Sequence, residues 1–329
     1  MSPWGAKDPR RKRNSGKPLG VARFSCEVRG DWAMYKEVFR FPSWVRATGC
    51  CFKCNVKPGG IRDFGSQAAW RLPENRLQHW DILTRILQEG GDISPLFATP
   101  GLTTGQFAID WLHCCDLGGC ADFLGNLLWM LLPLVSAGGN KAAQASALFV
   151  EMQTYYQEEC VESRLDNLTL TMLRKTPTSS PKLRAKAAEA RCLVRFARLM
   201  SHKYLSADIP VQATARQASE HLENCYRQLS AHEFSPSVLQ QECTKFCLLY
   251  GALEEQYDGS LWKVKPKFHL WQELCMSGSN PSDHWVYRDE DFGGSIASVG
   301  RRRGGSNTAE STGAAVLQKF RGKHEPFLK

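Results

Sequence analysis

Residues 105–135, GQFAIDWLHCCDLGGCADFLGNLLWMLLPLV, decide how the rest of the chain is read. The stretch opens on a short apolar run, Phe107-Ala108-Ile109, of the length and composition of a buried strand. That run ends on an acid, Asp110, and His113 follows three residues later. Gly118 and Gly119 break the chain ahead of an apolar segment, residues 123–135, with Pro133 near its end. The order is strand, acid, turn, helix. In open α/β sheets ligands gather just outside the carboxyl ends of strands, so Asp110 stands where a functional carboxylate belongs. The alternative is that it terminates a strand or caps a helix, as Asp often does.

Upstream, Val21-Ala22-Arg23-Phe24-Ser25-Cys26-Glu27-Val28 alternates like a strand with one buried face and runs into Gly30-Asp31, a second acid just past a strand. A short amphipathic segment, residues 33–39, ends before Pro42. Cys50-Cys51-Phe52-Lys53-Cys54 follows, with Cys51 and Cys54 in C-x-x-C spacing, then a Gly- and Pro-containing loop at 57–73 and a helix at 74–88. Downstream the pattern predicts helices over 141–160, 165–174, 182–202, 210–229 and 235–257. Strand patterns are nearly absent from 140 to 259, which reads as a helical insert. Trp262-Lys263-Val264-Lys265-Pro266-Lys267-Phe268-His269 then leads into a short helix, and Trp285-Val286-Tyr287 precedes the acidic cluster Asp289-Glu290-Asp291.

The chain has 42 Lys+Arg against 33 Asp+Glu, a formal charge of +9, which favours an anionic partner such as nucleic acid. Arg10-Arg11-Lys12-Arg13 sits in a basic arm that reads as an import signal, a phosphate-binding tail or a solvated terminus. The N-terminus carries no apolar h-region and residues 123–135 are too short to cross a bilayer, so the expectation is a nuclear or cytoplasmic chain with no membrane partner. Thirteen Cys in such a chain point to reduced thiols, a few of them on metal. Cys51 and Cys54 are half of a zinc site that His269, or alternatively His113, Cys114 or Cys115, would complete; core or surface thiols are the other reading.

Three carboxylates from distant positions, Asp31, Asp110 and one of Asp289-Glu290-Asp291, are what a two-metal site for phosphoryl transfer needs, because hard cations take oxygen ligands. In order, Gly30-Asp31, the C-x-x-C, Asp110-Trp111-Leu112-His113, Lys265-Pro266-Lys267-Phe268-His269 and Trp285-Val286-Tyr287 ahead of Glu290 resemble the core of CACTA-type (En/Spm-like) DDE transposases. The resemblance covers scattered blocks between Gly30 and Arg303. It implies an α/β, RNase H-like (retroviral-integrase-type) mixed sheet with a large all-helical insert. It also implies Asp31, Asp110 and Glu290 as catalytic ligands of Mg²⁺ or Mn²⁺, and Cys51, Cys54 and His269 as ligands of Zn²⁺. The family's second His after the K-x-K-x-H string is missing here, where Gln272 and Glu273 stand. Lys265, Lys267, Arg301, Arg302 and Arg303 would hold DNA phosphates, or form solvated runs.

The expected organisation is a basic arm (1–20), a first part of the core (21–137), a helical insert (138–261), the end of the core with the third acid (262–303) and a tail (304–329). The expected function is two-metal DNA strand cleavage and transfer, in a monomer or an oligomer. The alternatives are a catalytically inactive, transposase-derived nucleic-acid-binding protein and, with no such ancestry, a small zinc-dependent scaffold.

Overall fold

The computed structural model describes residues 27–41, 49–99, 101–257, 260–302 and 309–323. The basic arm, most of the first alternating segment and Arg303 lie outside them. The chain builds a mostly helical body. Its main helices are α1 (Trp32–Phe39), α2 (His79–Gln88), α3 (Leu112–Val135), α4 (Lys141–Glu158), α5 (Ala187–Tyr204), α6 (Pro210–Arg227), α7 (Pro236–Gln256), α8 (Pro266–Cys275), α9 (Tyr287–Arg302) and α10 (Ala309–Lys323).

This overturns the expected mixed sheet. Among the described residues the β pairing consists of two isolated bridges, a parallel one between Val28 and Phe107 and an antiparallel one between Cys54 and Arg76. The run Phe107-Ala108-Ile109 is too short to extend a ladder, because helical geometry begins at once after Asp110. The RNase H-like reading therefore fails, and a helical bundle takes its place.

Several helices start where their sequence says they should, but the one expected from 182 starts at Ala187, the one expected from 74 starts at His79, and the one expected over 165–174 is only Leu170–Leu173. Pro210, Pro236 and Pro266 occupy the first turns of α6, α7 and α8, where the missing N–H costs nothing. Asn140 caps α4 by accepting from the Ala143 amide at 3.0 Å. The short helix expected to follow His269 starts earlier by the same logic: Pro266 opens it, and Lys267, Phe268 and His269 ride on its first turns.

α3 is the axis of the body. Its first part, Leu112–Cys120, is π-helical and kinks at Gly118, whose φ/ψ of −113/−112° lies outside the helical region. Its second part, Ala121–Val135, is α-helical and carries Phe123, Leu124, Leu127, Leu128, Leu131 and Leu132, none more than 1 % exposed. These side chains form the centre of a core that α4, α5, α7 and α8 complete. At 24 residues α3 is long and apolar enough to cross a bilayer, yet 72 % of its most apolar window is buried inside the protein. Gly125 permits a close crossing: a Cβ there would lie 2.4 Å from the Cα of Lys182. That crossing lays residues 181–183 along α3, fixed by the Leu183 amide donating to the Ala121 carbonyl at 2.8 Å.

Candidate metal centre and carboxylate pocket

Two groups of polar side chains are built around the α3–α8 contact. The first is buried. Cys51 and Cys54 sit on a turn tied to residues 75–77 by the Asn55 amide on the Asn75 carbonyl and the Leu77 amide on the Lys53 carbonyl, both at 3.0 Å. His269 and Glu273 face that turn from α8, one helical turn apart. One donor atom from each of the four residues lies within 4.8 Å of the others, and all four side chains are buried. Cys54 Sγ is 3.3 Å from His269 Nε2, Cys51 Sγ is 3.7 Å from Glu273 Oε1, and His269 Nε2 is 3.6 Å from the same oxygen. Metal–ligand bonds of about 2.0–2.3 Å in a tetrahedron put donors roughly 3.3–3.8 Å apart, so the donors are spaced as the corners of such a site. This cluster could hold a metal ion.

Its electrostatics are those of a site short of one cation. Burial opposes ionisation of Cys51, but the Cys54 thiol and the His269 imidazole outweigh it and hold Cys51 well below the usual thiol range. Sharing its hydrogen bond with Cys51, and burial, push Cys54 up. Burial and the charge on Cys51 also raise Glu273, against the pull of Arg76. Arg76 grips Glu273 with two hydrogen bonds, of 2.8 and 2.7 Å, and so orients the fourth donor. Glu273 was not among the metal ligands the sequence offered. The signal for it was its i, i+4 spacing from His269, hidden by the expectation that the helix begins after His269.

The second group lines an open cavity of about 130 Å³. The Val28–Phe107 bridge sets two extended segments side by side, with the Ala108 amide donating to the Val28 carbonyl at 3.0 Å. Tyr35, fully buried in α1, shares its hydroxyl proton between the carbonyls of Val28 and Ala108 at 2.8 and 2.6 Å. The two chains then leave the bridge in the same direction, and Asp31 and Asp110 reach the same cavity together with His113 and Lys267. Both acids also do the structural work the sequence allowed them. Asp31 caps α1 through the Met34 amide at 2.6 Å, and Asp110 accepts the His113 amide at 2.9 Å.

Glu290 comes from α9. His113 joins the acids: its Nδ1 lies 2.7 Å from Asp110 Oδ2 and its Nε2 lies 3.5 Å from Glu290 Oε1. Burial disfavours the imidazolium, but Asp110 and then Glu290 outweigh it and raise His113 above its ordinary value. Of the three neighbouring acids, Glu290 is the one that meets His113. α9 has no buried side chain of its own and is held at its start. The Val286 amide donates to Asp110 Oδ1 at 3.1 Å, and Tyr287 donates to Asp116 at 2.6 Å. Asp116, buried and also bonded by Tyr226 at 2.5 Å, is pushed up to about 7 by burial. Asp116 and Tyr226 did not stand out in the sequence, because each is an ordinary residue until the helices meet, and Tyr287 stood out only as part of the Trp285-Val286-Tyr287 string.

Of the residues expected to hold phosphates, Arg301 and Arg302 lie exposed on the last turn of α9. Lys265 donates to the buried Asp122 at 2.5 Å, and Lys267 to the His113 carbonyl at 2.6 Å. Cys114 and Cys115, offered as alternative metal ligands, are not in the four-residue cluster, nor is His113. Comparison with known protein families, with characterised proteins and with solved structures finds no match to this chain.

Proposed function

We propose that the protein is a metal-dependent enzyme of phosphodiester chemistry on nucleic acid, a nuclease or strand transferase of the transposase type, built on a helical body and braced by zinc. The observation that carries this reading is that Asp31 and Asp110, far apart in sequence, line one open cavity with His113, and that Glu290 reaches the same His113 from outside the lining. Carboxylate oxygens are the ligands hard cations take, and Mg²⁺ or Mn²⁺ held by these acids would supply Lewis-acid stabilisation of a phosphoryl oxygen. The chain's own contribution is positional. Asp110 is fixed by three hydrogen bonds, from the His113 amide, the His113 ring and the Val286 amide. Glu290 is delivered by a helix that opens directly beside it.

Zinc fits the buried cluster better than a hard cation does, since two thiol donors and an imidazole are soft or borderline ligands. The site has no open position for substrate, which assigns it a structural role.

A second reading, a nucleic-acid-binding protein that does not cleave, draws on the same contacts: His113 already stands as a bridge between Asp110 and Glu290. Nicking of supercoiled DNA separates the two. An enzyme nicks with Mg²⁺ or Mn²⁺ and stops when Asp110 becomes Asn, with binding retained. A binder shows salt-sensitive association and no nicks at any metal concentration.

A further inference from the structure

Three lysines from two distant segments come together along one side of α3. Lys182 donates to the Leu117 carbonyl at 2.8 Å, Lys267 to the His113 carbonyl at 2.6 Å, and Lys265 to Asp122 at 2.5 Å. The acceptors are successive points on one helix. His113 and Leu117 are four residues apart, a rise of roughly 6 Å, and Asp122 lies further along the same helix. The kink at Gly118 opens the helix there, and a Cβ at Gly118 would lie 2.7 Å from Lys267 Cδ, so glycine is what lets Lys267 cross.

Lys265 pairs with Asp122, which also attracts Lys182, and Lys267 borders the cavity that Asp31 and Asp110 line. The proton affinity of Lys182 is lowered by burial and by the charges of Lys267 and Lys265, against the pull of Asp122. An ammonium has three N–H donors, and among the described residues each of these lysines spends one on a protein acceptor. Two donors per lysine remain, on side chains that are partly exposed. The row also has a direction: Lys267 lines the cavity that Asp31 and Asp110 share, and Lys265 and Lys182 continue away from it.

We propose that Lys182, Lys265 and Lys267 form a binding track for consecutive phosphates of a single nucleic-acid strand, which leads that strand to the carboxylate cavity. Lys182 is the residue that completes the track: it comes from the segment laid across α3 at Gly125, outside the K-x-K string. The identity of the anion rests on the phosphodiester reading above, but binding needs no chemistry and is measured without it.

The test is fluorescence anisotropy of a short single-stranded DNA oligonucleotide in EDTA, over a series of salt concentrations. Neutralising one phosphate-bound lysine lowers the slope of log affinity against log salt by about 0.7 for a single strand. Lys182→Gln and Lys267→Gln are each expected to lower it by that amount, and the triple Gln variant by about 2. Lys263→Gln, an exposed neighbour, is expected to leave it unchanged. Unchanged slopes in the folded Lys182 and Lys267 variants overturn the proposal. Should those variants not fold, acetylation footprinting of the unsubstituted protein decides. Protection of the three lysines by the oligonucleotide supports the track, and equal labelling with and without it overturns the track. A protein that binds through these lysines and never nicks DNA would refute the enzyme and leave the track standing.

Discussion

The buried cluster and the open cavity use similar parts to opposite ends. Each joins side chains from distant points of the chain, and α8 contributes to both. In the cluster all four side chains are buried and their donors lie within 4.8 Å of one another, with Arg76 bracing the fourth. In the second group Asp110, itself buried, borders an open cavity with Asp31, and Glu290 is more than half exposed on a helix with no buried side chain. A closed donor set has no coordination position to lend to a substrate, whereas an open one has. Under the proposed function, the first group is architecture and the second chemistry.

The largest expected effect separates them by activity. Asp110→Asn is expected to abolish metal-dependent nicking and to cost about 1–3 kcal/mol of stability, since the His113 and Val286 amides bond different oxygens and Asn keeps an acceptor for one of them. Nicking that survives in this variant removes the cavity from the mechanism. Cys54→Ser should do the reverse. It is expected to lose the tightly held metal and several kcal/mol of stability, because structural zinc contributes on the order of 10 kcal/mol where folding depends on it. Elemental analysis and thermal unfolding of the two variants check both halves together.

Arg76→Met sharpens the comparison within the cluster. It leaves Glu273 buried beside Cys51 without its cation, and loss of one partner of a buried pair costs about 3–5 kcal/mol. Bound metal should offset part of that, so the variant's deficit is expected to be larger in chelator than in zinc. Equal deficits would show that Glu273 is not a ligand.

A smaller effect concerns how the exposed helix is held. Asp116 titrates near 3.9 when unfolded and at about 7 in the folded protein. A carboxyl with a raised folded value stabilises the fold fully below about pH 4, and this contribution fades as pH rises through 7. Stability is therefore expected to fall by up to a few kcal/mol across that range, and Asp116→Asn should flatten the profile. Chemical unfolding at intervals between pH 4 and 8 measures it, and an unchanged profile in the variant would contradict the assignment.

The helices between 140 and 259 were legible because period and start signals agree locally, as with Asn140 and the prolines at 210 and 236. The sheet was not there to be read. Phe107-Ala108-Ile109 has strand composition, but three residues bridged once make a bracket for Asp110 and not a ladder. Cys51 and Cys54 were found from spacing and His269 as one of several candidates to complete their site, while Glu273 was found only once Pro266 fixed where α8 starts. The register within Asp289-Glu290-Asp291 depended on a contact across some 180 residues, with His113, which no local pattern carries.

One measurement addresses the division between the two sites directly: a crystal soaked in manganese, with anomalous scattering recorded at the zinc and manganese edges. The account predicts zinc at the centre of Cys51, Cys54, His269 and Glu273, and manganese in the cavity among Asp31, Asp110 and Glu290. A cavity that stays without manganese while the cluster keeps its zinc, or manganese that displaces the zinc and ignores the acids, would contradict it.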